Sequence, residues 1–132
     1  RAKIMELSEK YQLAEIAYDR WNSSSLVQDL TDDGATLVPF GQGFGSMNGP
    51  TKELLNLILG HKIRHNGDEV LDWMADNVVV KKDPAGNLKP DKEKSTEKID
   101  GIVALIMALD RAIRHSAAET ESIYETRGLL SL

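Results

Sequence analysis

The order of hydrophobic patterns along the chain predicts an α/β domain, and three observations carry that class. Two short strand-like runs, at 13–19 and 35–40, are each followed by segments with helical spacing. A β-branched run at 78–80 returns through a turn-rich segment, as a hairpin does. A long apolar stripe from about Glu97 repeats at intervals of three and four, the period of a packed helix. Helices alternating with strands place the chain in the α/β class.

The elements follow in order. Residues 2–11 carry Ala2, Ile4, Met5 and Leu7 at helical spacing. The alternating run "LAEIAYD", 13–19, reads as a strand ending on Asp19. Serines that can cap a helix open "NSSSLVQDLTDDG", where Leu26, Val27 and Leu30 share a face and Gly34 supplies the stop. "ATLVPF" is the next strand, with Pro39 marking an edge or a terminus. "GQGFGSMNGP", 41–50, holds four glycines and is expected to be a mobile surface loop. A helix is then expected from Thr51, burying Leu54, Leu55, Ile58 and Leu59, and a second over 68–77, packing Val70, Leu71 and Met74. The hairpin turns at Asp83–Asn87. Ile99, Ile102, Val103, Ile106, Leu109 and Ile113 line the last helix, whose polar end frays or forms a separate helix up to Gly128.

The 132 residues suffice for one domain, 1–132, with a real core. Hydrophobic residues make up 41% and charged residues 28%, ordinary globular values. There is no cysteine, so disulfides and thiolate metal sites are excluded and any metal needs oxygen or imidazole ligands. No apolar run reaches the roughly 18 residues of a membrane span, and the polar first turns do not resemble a signal peptide, so an intracellular protein is expected. The net charge of −5 argues against a general nucleic-acid binder, although a neighbouring domain can supply basic surface. The chain begins with Arg1, which reads as a processed or truncated polypeptide.

Two acids stand out. Asp19 sits where a strand hands over to a loop, the place where sites gather in open α/β sheets. It can equally pair with Arg20 or cap the next helix. Asp100 opens the most apolar helix, where it gains from the helix dipole and borders the core. The glycine-rich loop has no lysine after its glycines and lacks GxGxxG spacing, so it is no phosphate-binding loop. His61 and His65 stand four apart without the acid of a zinc-protease motif, and His115 falls on the polar helix end. Trp21 and Trp73 are expected to anchor the core.

Three segments resemble one known family. "AYDRW", then "LVPFGQGFGSMNGPTKELLNLILGHKIRHNGDEVLDWMADNVVV", then "DPAGNLKPDKEKSTEKIDGIVALIMALDRA" are similar to the C-terminal nuclease part of tailed-bacteriophage terminase large subunits. The resemblance spans about residues 10–114 and rests on the order and spacing of the motifs. It implies a ribonuclease-H-like mixed sheet flanked by helices, and an acidic cluster holding two Mg²⁺ or Mn²⁺ ions. Asp19 then matches the acid at the end of a central strand, and Asp100 the acid on the closing helix, both catalytic and metal-binding. Lys92, Lys94 and Lys98 touch the DNA backbone, offset charge in the cluster, or simply form a solvated loop.

The implied activity is endonucleolytic cutting of concatemeric phage DNA during packaging, in the cytoplasm of the bacterial host and away from membranes. Implied partners are double-stranded DNA, the ATPase domain of the same protein, the small terminase subunit and the portal. The family carries another acid on its first strand, upstream of "YDRW", and no strand precedes that motif here. With no P-loop either, the chain reads as an incomplete nuclease domain without its first strands, one metal ligand and the ATPase domain, and by itself it is expected to bind the ions weakly and cut DNA poorly or not at all. A resolvase-like nuclease of the same fold, or a non-catalytic docking module, remains the rival reading.

Overall fold

A computed structural model describes the backbone of residues 1–21 and 24–126 and the side chains of 1–21 and 25–116. The elements run α1 (Ala2–Lys10), β1 (Ile16–Asp19), α2 (Ser24–Asp32), β2 (Leu37–Phe40), α3 (Phe44–Leu59), α4 (Glu69–Asn77), β3 (Val80–Lys82), β4 (Leu88–Pro90) and α5 (Asp100–Thr126). β1 and β2 pair in parallel, with Ile16 opposite Leu37 and Asp19 opposite Phe40, while β3 and β4 form an antiparallel hairpin. The α/β class holds: parallel pairing requires a crossover, and α2 supplies it.

α5 supplies most of the core. Ile99, just before it, and Ile102, Val103, Ile106 and Met107 on its first two turns are buried with Phe40, Met47 and Leu54. Their spacing puts them on one helical face, which packs against β1, α3 and α4. Leu109 stays at the margin, and Ile113 is 44% exposed, so the buried stripe ends earlier than the sequence periodicity suggests. α5 runs as one helix to Thr126, so the described part of the polar end forms no separate helix. Gly128 lies outside the described residues.

The main correction concerns residues 41–50. α3 begins at Phe44, so seven residues of the expected mobile loop form its first two turns. Met47, Pro50, Thr51 and Leu54 form its buried stripe. An interior proline costs roughly 3 kcal/mol and would normally end a helix. Here Met47 is only 2% exposed, and burying a methionine recovers about 1.5–3 kcal/mol. The core lies on the face of Met47, Pro50, Thr51 and Leu54, which leaves Leu55, Ile58 and Leu59 exposed where burial was expected. Likewise Val70 on α4 is exposed, whereas Leu71 and Met74 pack on the core.

Local chemistry explains the element ends. Asp68 caps α4, accepting from the Leu71 N–H at 2.9 Å. α3 ends with His61 at φ 51°, its N–H bonded to Ile58 O and that of Lys62 to Leu57 O, a left-handed helix stop filled here by a non-glycine residue. The hairpin turns as expected, with the Asp83 carboxylate accepting from the backbone and side-chain N–H groups of Asn87 and Gly86 at φ +83°. Those bonds hold the Asp83 carboxyl below the usual carboxylate range. Pro39 is tolerated because the register turns its nitrogen away from β1.

Two outcomes follow. Ile106→Ala should destabilise the domain by about 2–5 kcal/mol in denaturant unfolding, because a buried side chain is replaced by a cavity. The second concerns Glu15, whose carboxylate takes a 2.7 Å bond from Arg111 that lowers its pKa. Stability from this group is present above the ordinary glutamate value of about 4.3 and is lost as pH falls through the lower folded value. Glu15→Gln should therefore make the melting temperature fall less steeply on acidification below about pH 4.3, as calorimetry across that range would show.

Candidate functional site

β1 delivers Asp19 to its carboxyl end, partly buried, where the Trp21 N–H donates to Asp19 Oδ1 at 3.2 Å. This is a local Asx-type bond, and it fixes the carboxylate at the strand-to-loop corner. Arg20 turns its guanidinium over the Trp21 ring, 5.0 Å from the centroid. Trp21 is 76% exposed and Trp73 44%, so neither is the core anchor expected of it. Beside Asp19, β2 ends at Phe40 and the chain enters α3 through Gly41 and Gly43. A Cβ at Gly41 would stand 3.4 Å from Ser46 Oγ and 3.9 Å from Arg20 Nη2, so the side chain of Arg20 lies against this corner.

Asp100 is the first residue of α5, three residues later than the expected helix start. Its carboxylate is solvent-facing, and Lys92 Nζ donates to Asp100 Oδ1 at 3.0 Å. As an exposed pair this contributes at most about 1 kcal/mol. Its interest is chemical: a cation already stands at the carboxylate. Lys98 lines the same shallow cleft as Lys92 and Asp100. Lys94 contributes its backbone N–H, which reaches Asp91 Oδ1 at 3.4 Å.

Asp91 is the residue that sequence reading missed. It is 4% exposed and anchors the whole 91–95 turn. Its Oδ1 accepts from the N–H groups of Glu93 and Lys94, and its carbonyl accepts from Ser95 N–H at 3.0 Å and Ser95 Oγ at 2.7 Å. Asp91 N–H donates to Val79 O, and Ser95 Oγ accepts from Val79 N–H. The turn that presents Lys92 to Asp100 is thus tied to the hairpin. A signal was available in "KPDKEKS", since an aspartate after a proline commonly bonds the backbone two and three residues on.

His61 closes α3, and His65 Nδ1 accepts from Gly67 N–H while lying 3.6 Å from Asp72. Among the described residues, no three histidine, aspartate or glutamate side chains stand together as a metal-binding group. No described helix is long and apolar enough to cross a membrane.

Comparison with known proteins identifies the family. Residues 2–116 match the family described as terminase large subunit, endonuclease domain. The chain is 41% identical over 113 residues to the terminase large subunit of Enterobacteria phage HK97, covering 84% of this chain and 22% of that protein. It is 36% identical over 123 residues to protein YmfN of Escherichia coli K12, covering 91% and 27% respectively. It also superimposes on the crystal structure of the HK97 bacteriophage large terminase with a TM-score of 0.76 at 40% identity, over 83% of this chain and 23% of that one. The chain therefore spans about a quarter of the length of these relatives. The match over 115 contiguous residues, supported by both sequence and superposition, places the chain in the family of terminase large subunit endonuclease domains.

Proposed function

We propose that the chain provides the cutting centre of a metal-dependent endonuclease acting on concatemeric phage DNA, with Asp19 and Asp100 as its acids. The observation that carries the reading is the way β1 and α5 pack. Glu15 is tied to Arg111 at one end of the contact. Ala17, two residues on, packs on the cluster containing Val103, Ile106 and Met107, on the N-terminal side of Arg111. The strand and the helix thus run in opposite directions. From Glu15 to Asp19 the strand advances about 13 Å at roughly 3.3 Å per residue. The same distance along α5 is about nine residues at 1.5 Å each, which leads from Arg111 to the neighbourhood of residue 102. On this reading Asp19 and Asp100 lie at the same end of the domain, although 81 positions separate them in sequence.

Asp19 and Asp100 supply part of the ligand set that the implied ions need, and no described group of three acids or histidines completes it. Both acids offer hard oxygen donors, the preference of Mg²⁺ and Mn²⁺, and Asp100 already accepts a cation from Lys92. Bound there, such ions would activate water and stabilise the leaving oxygen of a phosphodiester. The chain's own contribution is placement. The Trp21 N–H holds one acid at the strand corner, and the α5 N-terminus favours negative charge on the other. Lys92 pairs with Asp100 in the metal-free chain, and an ion bound at that carboxylate would displace it.

A ribonuclease-H-like sheet, with double-stranded DNA as substrate and an ATPase domain, a small terminase subunit and a portal as partners, completes the proposal. The bacterial cytoplasm is its place of action. All of these rest on family membership.

The test is plasmid nicking with Mg²⁺ or Mn²⁺ by the natural protein that carries this sequence. Asp19→Asn and Asp100→Asn should each lower the rate at least about 100-fold, or about 2.7 kcal/mol of barrier, without lowering the melting temperature by more than a few degrees. Undiminished nicking by either variant removes that residue from the site. Cutting that persists after chelation of all divalent ions removes the metal from the mechanism.

A further inference from the structure

From the cleft between the β3–β4 hairpin and the start of α3, we infer a seat for a DNA backbone phosphate that sequence reading did not identify. Lys81 and Lys89 supply its charge and the buried carboxylate of Asp91 positions Lys81. The inference rests on the nuclease reading for its choice of polymer but not for its geometry. The cleft holds about 200 Å³ and is lined by three lysines, Lys81, Lys89 and Lys92, and two acids, Asp91 and Glu93, with Gln42 and apolar side chains around them. At roughly 30 Å³ per water, that admits a phosphate group with its bridging waters.

Three features make it more than a row of surface lysines. The chain carries a net charge of −5, yet the segment 81–98 holds six lysines against four acids, so the hairpin and its following turn form a locally basic face. Lys89 is held in place, its Nζ donating to Gln42 O at 3.2 Å and standing 5.3 Å from the Phe44 ring centroid. Asp91 Oδ2 is buried without a hydrogen-bond partner, and the nearest cation, Lys81 Nζ, stands 4.0 Å away. An ammonium at that distance is tethered but not consumed: its protons remain available to a second oxygen. A phosphate oxygen entering the cleft can accept from Lys81 and Lys89 together, and Lys81 can settle towards Asp91 as it does so.

The cleft shares Lys92 with the Asp100 ion pair. A strand seated here thus runs directly to the proposed cutting centre, and the Asp91 turn sets the spacing between the two.

The test is binding of a short duplex to the full chain, read by fluorescence anisotropy in EDTA so that no cutting intervenes. Lys81→Gln and Lys89→Gln should each weaken binding about tenfold at 50 mM salt and reduce the slope of log affinity against log salt by about one. Lys10→Gln, on α1, should do neither. Asp91→Asn gives the decisive sign. If the lysines act only as a diffuse basic patch, removal of a negative charge tightens binding. If Asp91 positions Lys81, binding weakens. Unchanged affinity and slope in both lysine variants overturn the seat, and tighter binding in Asp91→Asn overturns the positioning role. Melting curves of each variant verify folding, and the lysine variants decide the matter if Asp91→Asn fails to fold. Because binding is read without metal, loss of the Asp19–Asp100 assignment in the nicking assay leaves this result standing, and the reverse also holds.

Discussion

Burial of one face of α5 is the constraint on which the rest of the structure depends. Ile102, Val103, Ile106 and Met107, with Ile99 ahead of them, can leave water only if β1, α3 and α4 close over that face. Two strands alone make a marginal sheet, so β1 and β2 owe their persistence to the helix beneath them. The same packing fixes the direction of β1 against α5, with the Glu15–Arg111 bridge pinning one end. Core packing thereby sets where β1 presents Asp19 and where α5 begins at Asp100.

A second layer of order comes from polar groups. Asn48 on α3 accepts from the Leu88 N–H of the hairpin at 2.9 Å, and Asp91 joins the hairpin to the turn that precedes α5. These bonds carry the hydrophobic framework's rigidity out to a surface that is otherwise hydrophilic. Lys92 shows the result. It is a long, exposed side chain, yet its ammonium has a defined partner because the turn beneath it is bonded at both ends. A lysine on an unanchored loop would lose several rotamers' worth of entropy to reach the same place.

The errors of sequence reading have a common cause. Gly41, Gly43, Gly45, Gly49 and Pro50 all speak locally against a helix, and local propensity is what a sequence displays. The helix over Phe44–Pro50 forms because Met47 and Pro50 have a core to enter, and that core is assembled from residues fifty positions away. Leu54 belongs to both the expected and the observed stripe of α3, but the core lies on the side of Met47, Pro50 and Thr51, which leaves Leu55, Ile58 and Leu59 outside it. Trp21 and Trp73 failed for a related reason. A large aromatic is usually buried, but among the described residues nothing near the end of β1 or on the outer face of α4 covers them.

The sequence by itself determined the α/β class, the strand-end position of Asp19, the helix-start position of Asp100, the Asp83–Asn87 hairpin and, through the order of three motifs, the family. Apart from the family, which needs the order of motifs along most of the chain, each is encoded by neighbours within a few residues, where alternation, helical period and turn chemistry operate directly. Only the tertiary structure decided the start of α3, the burial of Asp91, the pairing of Lys92 with Asp100 and the cleft holding Lys81 and Lys89. Those features join segments 8 to 65 positions apart, as in the Gln42–Met107 and Lys89–Gln42 contacts. Proximity of that kind is set by how the apolar faces of separate elements close on one another, and no local pattern records it.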